Sequence, residues 1–111
     1  MEIAGVTVWV EPEDSVFPYN TDGIDVSGKD IYIHDSIISN YDDAICIKPS
    51  DYNTPSLNYT NMSCTENIVI NNIYVYKGVG LSVGSVASTK QHCIRNVLFQ
   101  NIVAELSLIH I

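Results

Sequence analysis

Two short segments 21 residues apart carry one pattern. Asp22-Gly23-Ile24-Asp25-Val26 and Asp43-Ala44-Ile45-Cys46-Ile47 both read aspartate, small residue, isoleucine, any residue, β-branched residue. Gly80-Leu81-Ser82-Val83-Gly84 repeats the apolar spacing. Repetition at a period in the low twenties marks a chain that stacks one unit on itself, because a single unit cannot bury its apolar face alone. A second series alternates with the first: Asp30-Ile31-Tyr32-Ile33-His34-Asp35, Asn67-Ile68-Val69-Ile70-Asn71-Asn72 and Asn96-Val97-Leu98-Phe99-Gln100-Asn101. Each turn of chain is thus expected to give one strand to each of two sheets, with its copies stacked in parallel. That is an all-β fold, a right-handed parallel β-helix. Side chains two apart share a strand face. The expected core therefore contains Ile31 with Ile33, Ile68 with Ile70 and Val97 with Phe99 on one side, and Ile24 with Val26, Ile45 with Ile47 and Leu81 with Val83 on the other.

Composition agrees with strands. Ile and Val number 27 against 9 for Leu and Ala, and β-branched side chains suit a pleated surface better than a helix. Ten Asn and six Gly supply left-handed and turn conformations between the short runs. The polar stretch Pro49 to Cys64 reads as a loop leaving the stack. Neither end carries the cap that a stacked repeat needs. The expectation is a partial β-helix domain over residues 1–105, cut from a longer chain, followed by a non-native tail at 106–111. The first residues lack the basic and apolar regions of a signal peptide, so the chain is cytosolic or its beginning is missing.

Charge excludes several partners. Thirteen acidic residues against five basic ones leave a formal charge of −8. Lys29, Lys48, Lys77, Lys90 and Arg95 are too few and too scattered to neutralise a nucleic-acid backbone or an anionic membrane. No apolar run approaches the roughly 18 residues of a membrane span. Cys46, Cys64 and Cys93 show no metal-ligand spacing, and neither a metal nor another cofactor is expected. Sequons at Asn58 and Asn61 beside Cys64 favour an oxidising, secretory environment. With three cysteines, at least one thiol is free or pairs outside this chain.

The 21-residue offset places Asp22 and Asp43 at equivalent positions of adjacent turns, about 4.8 Å apart in backbone spacing, and Asp42 precedes Asp43 at the same strand entrance. Like charges this close raise one another's pKa, so one carboxyl stays protonated while its neighbours ionise. Glycoside hydrolysis needs that combination of a proton donor and a water-activating base. Aspartates at strand entrances commonly bond local turn amides, and without the wider sequence that is the more ordinary reading of the same residues. Calcium is a minor alternative, since the ligand spacing of calcium loops is missing.

Asn20-Thr21-Asp22-Gly23, Asp42-Asp43-Ala44-Ile45-Cys46-Ile47-Lys48 and Gly78-Val79-Gly80-Leu81-Ser82-Val83-Gly84-Ser85 resemble, in order and spacing, three signature blocks of glycoside hydrolase family 28, the polygalacturonases and their relatives. The likeness covers roughly residues 3 to 103. It implies a parallel β-helix, an inverting mechanism, a pectic polysaccharide as substrate, a secreted protein and a monomer at full length. By position, Asp42 corresponds to the general acid, Asp22 and Asp43 to the pair that holds and activates water, and Asn20 to a residue orienting them. Gly78, Gly80 and Ser82 fall in the substrate-binding block.

Two departures stand out. Ala44 replaces the cysteine that often follows the tandem aspartates, so the family's local disulfide is not expected. Val79 replaces the histidine of Gly-His-Gly, which implies poor action on plain polygalacturonate and points towards rhamnose- or xylose-bearing pectin. Lys48 and Arg95 do not match the family's Arg-x-Lys block. A non-catalytic β-helical protein that binds carbohydrate or serves a structural role competes with the enzyme reading. Tyr19, Tyr41, Tyr52, Tyr59, Tyr74 and Tyr76 could line a sugar cleft or simply pack; Trp9, His34 and His92 carry no specific signal.

Because the stack is open at both ends, the isolated 111 residues should aggregate or melt without cooperativity. Calorimetry on purified monomer tests this, and a sharp two-state transition contradicts it.

Overall fold

Ile, Val and Tyr alternate with polar residues in several runs of this chain, and in a computed structural model runs of this kind among the described residues form strands. It describes residues 1–13, 18–49, 64–84 and 93–105. Eight strands are present, with no helix among the described residues: β1 (Glu2–Ala4), β2 (Thr7–Trp9), β3 (Ile24–Val26), β4 (Lys29–Ser39), β5 (Asp43–Ile47), β6 (Thr65–Tyr76), β7 (Gly80–Val83) and β8 (Ile94–Glu105). All pairings are parallel. One sheet runs β1-β4-β6-β8, with β2 also paired to β4; the other runs β3-β5-β7. From β3 onward the chain visits the two sheets in turn.

The register matches the columns that the repeat predicts. Ile24 pairs with Ile45 and Ile45 with Leu81. Ile31 pairs with Ile68 and then Val97, and Ile33 with Ile70 and then Phe99. The core lies between the sheets. Ile31, Ile33, Ile45, Ile47, Ile68, Ile70 and Val26 are buried, and Ile24, Leu81, Val97 and Phe99 pack partly buried against them. Val83 departs from expectation: it is 51% exposed. β7 ends the order β3-β5-β7, so Val83 has a neighbouring strand on one side only.

β4, β6 and β8 also run further than the repeat indicates. They continue through Asp35, Asn72 and Asn101, whose φ angles of 52°, 56° and 54° are left-handed. Gly5, between β1 and β2, has φ 66° and falls at the equivalent place, because Ala4 pairs with His34 and Thr7 with Ile37. A second left-handed column holds Asp30, Asn67 and Asn96 at 56°, 57° and 56°. Asn and Asp tolerate this conformation because a short polar side chain can bond locally. Asn67 Nδ2 donates to Asp30 Oδ1 at 3.1 Å, Asn96 Nδ2 to Asn67 Oδ1 at 3.4 Å, and Asn72 Nδ2 to Asp35 Oδ1. A left-handed residue in an extended run bends the strand, so each long strand consists of straight stretches set at an angle. The stretch beyond Asp35 and Asn72 adds Ile38, Ile73 and Val75 to the core.

Cys64 and Cys93, each one residue before a strand, form a disulfide with Cα atoms 4.6 Å apart. Cys46 is free and buried, and its Sγ donates to Gly84 O at 3.1 Å. The odd cysteine count therefore resolves into one bond and one thiol. The sequons, most of the predicted loop, Tyr52, Tyr59, His92 and the tail at 106–111 lie outside the described residues. None of the described helices qualifies as a membrane span, since there are none.

Asn72→Ala in the protein carrying these turns should cost about 1–2 kcal/mol, the penalty of a Cβ-bearing residue without a local polar bond in the left-handed region. Asn72→Gly should recover most of it. Urea denaturation of the two variants checks this; equal stability of Asn72→Ala and the parent contradicts it.

Candidate active site

The turns leading into β3, β5 and β7 lie side by side because their strands pair, and the acidic residues sit in the first two. Gly23 N donates to Asp43 O at 2.9 Å, which draws the Asp22 turn onto the Asp43 turn. A Cβ at Gly23 would lie 2.4 Å from Ala44 O and 2.8 Å from Ile38 Cγ2. Only glycine permits this approach. β5 is irregular here: Asp43 pairs with Gly80 but Ile45 with Leu81, so Ala44 is the extra residue of a bulge, with its side chain fully buried. Bulges re-aim the side chains beside them.

Together these features bring one carboxylate oxygen from each of Asp22, Asp42 and Asp43 within 4.8 Å of one another, all partly buried. The sequence-predicted cluster forms. Asp42 Oδ1 also accepts from Asp43 N at 2.8 Å, so the local turn bond of the competing reading is present too. Oxygens at this spacing could surround a hard cation, though acidic residues this close arise without one.

Asn40, which the sequence does not single out, ties the turns together. It is fully buried, and its Nδ2 donates to Thr21 O at 2.8 Å and Asp43 O at 2.7 Å. Gly78 packs on it with φ +73°, and an added Cβ there would meet Asn40 Oδ1 and Asp42 O, each at 2.7 Å. Val79 N donates to Asp42 O at 3.0 Å. The only sequence signal for Asn40 is an amide following the apolar run Ile37-Ile38, a common enough pattern to pass unnoticed.

The other expected site residues are distributed as follows. Asn20 is exposed in a left-handed conformation, φ 54°, and the amide that bridges the two acidic turns is that of Asn40. Gly80 pairs with Asp43, and Ser82 with Cys46. The Ser82 Oγ is buried without a hydrogen-bond partner. Val79 is 64% exposed, so its isopropyl group fills no pocket in place of an imidazole. Trp9 stacks with Tyr76 at 6.2 Å between centroids, and Lys77 Nζ donates to Tyr41 Oη at 3.2 Å. His34 is bonded locally, to Asp35 and Glu2.

Electrostatics single out one of the three carboxyls. Asp22 is pushed up to about 6, first by burial, then by the charge of Asp25, the charge of Asp42, a side-chain hydrogen bond with Asp25 and the charge of Asp43. Of the three clustered carboxyls, Asp22 is the one whose neutral form is favoured, first by burial and then by its acidic neighbours.

The family model for glycosyl hydrolases family 28 matches residues 1–107. The chain belongs to glycosyl hydrolases family 28. Among family-related proteins it is 38% identical over 88 residues to the "Probable exopolygalacturonase C" of Neosartorya fischeri, covering 78% of this chain and 17% of that protein. It is 32% identical over 81 residues to the "Probable rhamnogalacturonase E" of Aspergillus flavus, covering 73% and 14%. It is 30% identical over 96 residues to the "Probable endopolygalacturonase D" of Emericella nidulans, covering 82% and 16%. This family 28 chain therefore spans about a sixth of the length of the relatives it matches. No solved structure matches it.

A raised pKa in the folded state means that the Asp22 contribution to stability is fully present below the ordinary value of 3.8 and is lost as pH rises through about 6. Between those pH values the protein should lose stability, and Asp22→Asn should remove that part of the pH dependence. Denaturation at stepped pH measures it; an unchanged slope in Asp22→Asn contradicts the assignment.

Proposed function

We propose that the protein carrying this chain hydrolyses glycosidic bonds in pectic polysaccharides, and that residues 1–105 form central turns of its right-handed parallel β-helix catalytic domain. The observation carrying this reading is the convergence of Asp22, Asp42 and Asp43 within 4.8 Å, with one carboxyl lifted to about 6. That carboxyl, Asp22, ionises as pH rises through about 6, and once ionised it can take a proton from water.

In this reading Asp42 protonates the leaving glycosidic oxygen, and Asp22 with Asp43 holds and activates the attacking water. Asn20, Gly78, Gly80 and Ser82 line the approach of the sugar. Asp22 must be ionised to accept a proton from water, so kcat/KM should rise as pH rises through about 6. Inversion is supported by family membership. The oxygens lie closer than the roughly 6.5–9.5 Å typical of inverting pairs, so the anomer of the first product, read by NMR, is the direct measure. The Cys64–Cys93 disulfide supports a secreted protein, because such bonds persist in oxidising compartments.

The Asp42 bond to the Asp43 amide favours a second reading, a non-catalytic β-helical protein that binds carbohydrate. Reducing-sugar release by the full-length protein from polygalacturonate, rhamnogalacturonan and xylogalacturonan separates the two. On the best of these polymers, Asp42→Asn should lose about 10²- to 10⁴-fold in kcat while keeping its fold. Turnover near the parent level removes Asp42 from the acid role, and no release from any polymer favours the binding protein.

A further inference from the structure

Asn40, one residue past β4, touches the turns before all three strands of the β3-β5-β7 sheet. Its Nδ2 donates to Thr21 O in the turn before β3 and to Asp43 O at the start of β5. An amide nitrogen carries two donors, so both are in use. Its Oδ1 is buried without a partner among the described residues and faces Gly78, in the turn before β7, where a Cβ would come within 2.7 Å. The amide has one workable orientation, because turning it over would set Oδ1 against two carbonyl oxygens. A buried acceptor left without a partner is a cost, and the two donated bonds are what this residue supplies against it.

Both carbonyls adjoin the acidic cluster. Thr21 precedes Asp22 and the second carbonyl is that of Asp43 itself, so the pair of bonds sets the span between the backbones carrying these two carboxyls. Gly23 N donates to the same Asp43 O at 2.9 Å. Amide and carbonyls are all neutral, so the span does not change with the ionisation of the carboxyls. The ionisable groups around it are Asp25 on β3 and Asp42 and Asp43 in the next turn, which act on Asp22 after burial. Lys48, just past β5, feels Cys46 first and Asp25 ahead of Asp22. Lys77, before Gly78, donates to Tyr41.

We propose that Asn40 is a positioning residue for the hydrolysis: it holds the water-activating carboxylates at their working separation at every pH and acts on turnover without touching the sugar. The proposal rests on the pectic reading above and adds to it a residue that none of the three motif blocks contains. A fully buried side chain does not meet substrate, so its loss should lower kcat and leave KM near the parent value. Displacing a catalytic group by about 1 Å costs on the order of 10²-fold.

The test uses the full-length protein with Asn40→Ala and Asn40→Asp, on whichever pectic polymer the parent cleaves best. Asn40→Ala should lose about 10²-fold in kcat at unchanged KM. With the turns free to separate, burial and the charges of Asp42 and Asp43 bear less on Asp22, so the rise of kcat/KM should move below about 6. Asn40→Asp keeps the shape of the side chain but not its donors. An ionised carboxylate only accepts, so the introduced group must be protonated to bond either carbonyl. The ratio of its kcat to that of the parent should therefore fall as pH rises. Denaturation at stepped pH adds a readout that needs no turnover: in Asn40→Ala the stability loss assigned to Asp22 should end at a lower pH than in the parent.

A parent-like kcat in Asn40→Ala overturns the proposal. So does a lower kcat with an unshifted pH profile, which reports only a smaller folded fraction, and so does failure of both variants to fold, which makes Asn40 structural alone. Absence of polymer cleavage by the parent removes the pectic reading, and an unshifted stability profile in Asn40→Ala removes the positioning role separately.

Discussion

Parallel strands in register force each residue to match the residues stacked above and below it. Several columns show that constraint: isoleucine over isoleucine in the core, asparagine over asparagine or aspartate at the bends, and Lys29, Glu66 and Arg95 in one charge ladder. A departure in one turn would be felt in the turns on either side. The bends illustrate why. If Asp35 were left-handed and Asn72 were not, the strands beyond them would diverge, and Ile38 and Val75, which are register partners, could not both be buried.

The acidic site follows from the same constraint, applied where it is slightly relaxed. The 21-residue offset aligns Asp22 with Asp43, but alignment alone leaves adjacent strands at ordinary sheet spacing. Gly23 lets two backbones come closer than side chains allow, and the bulge at Ala44 changes the course of β5 just after the tandem aspartates. The site is built where stacking is tightest on one side and irregular on the other.

Register and core were legible in the sequence because the core columns repeat with both spacing and residue type. The lengths of β4, β6 and β8 were not, and the reason is geometric. In β4 the buried positions run Ile31, Ile33, then Ser36, Ile38; in β6 they run Ile68, Ile70, then Ile73, Val75. Each left-handed residue shifts the two-residue alternation by one, so a search for period two sees the strand end at Asp35 or Asn72 when it only changes face. The three aspartates were legible through repeat and motif alike. Asn40 was not, because its role depends on two backbone carbonyls, Thr21 O and Asp43 O, that no local pattern brings together.

A site with several carboxylates could have been held together by a cation. Here it is held by a neutral amide. The difference is chemical: a lysine or arginine bridging Asp22 and Asp43 would favour their ionised forms and pull their pKa values down. Asn40 instead bonds the backbone carbonyls of the acidic turns, fixing their separation without neutralising the carboxylates. Burial and the charges of Asp25, Asp42 and Asp43 are then free to lift Asp22 to about 6. Lys48 stands farther along the sheet beside Cys46, and it is not among the groups that set the Asp22 shift. The group that sets the geometry is thus separate from the groups that set the charge, and the spacing of the acidic turns does not depend on whether Asp22 is ionised.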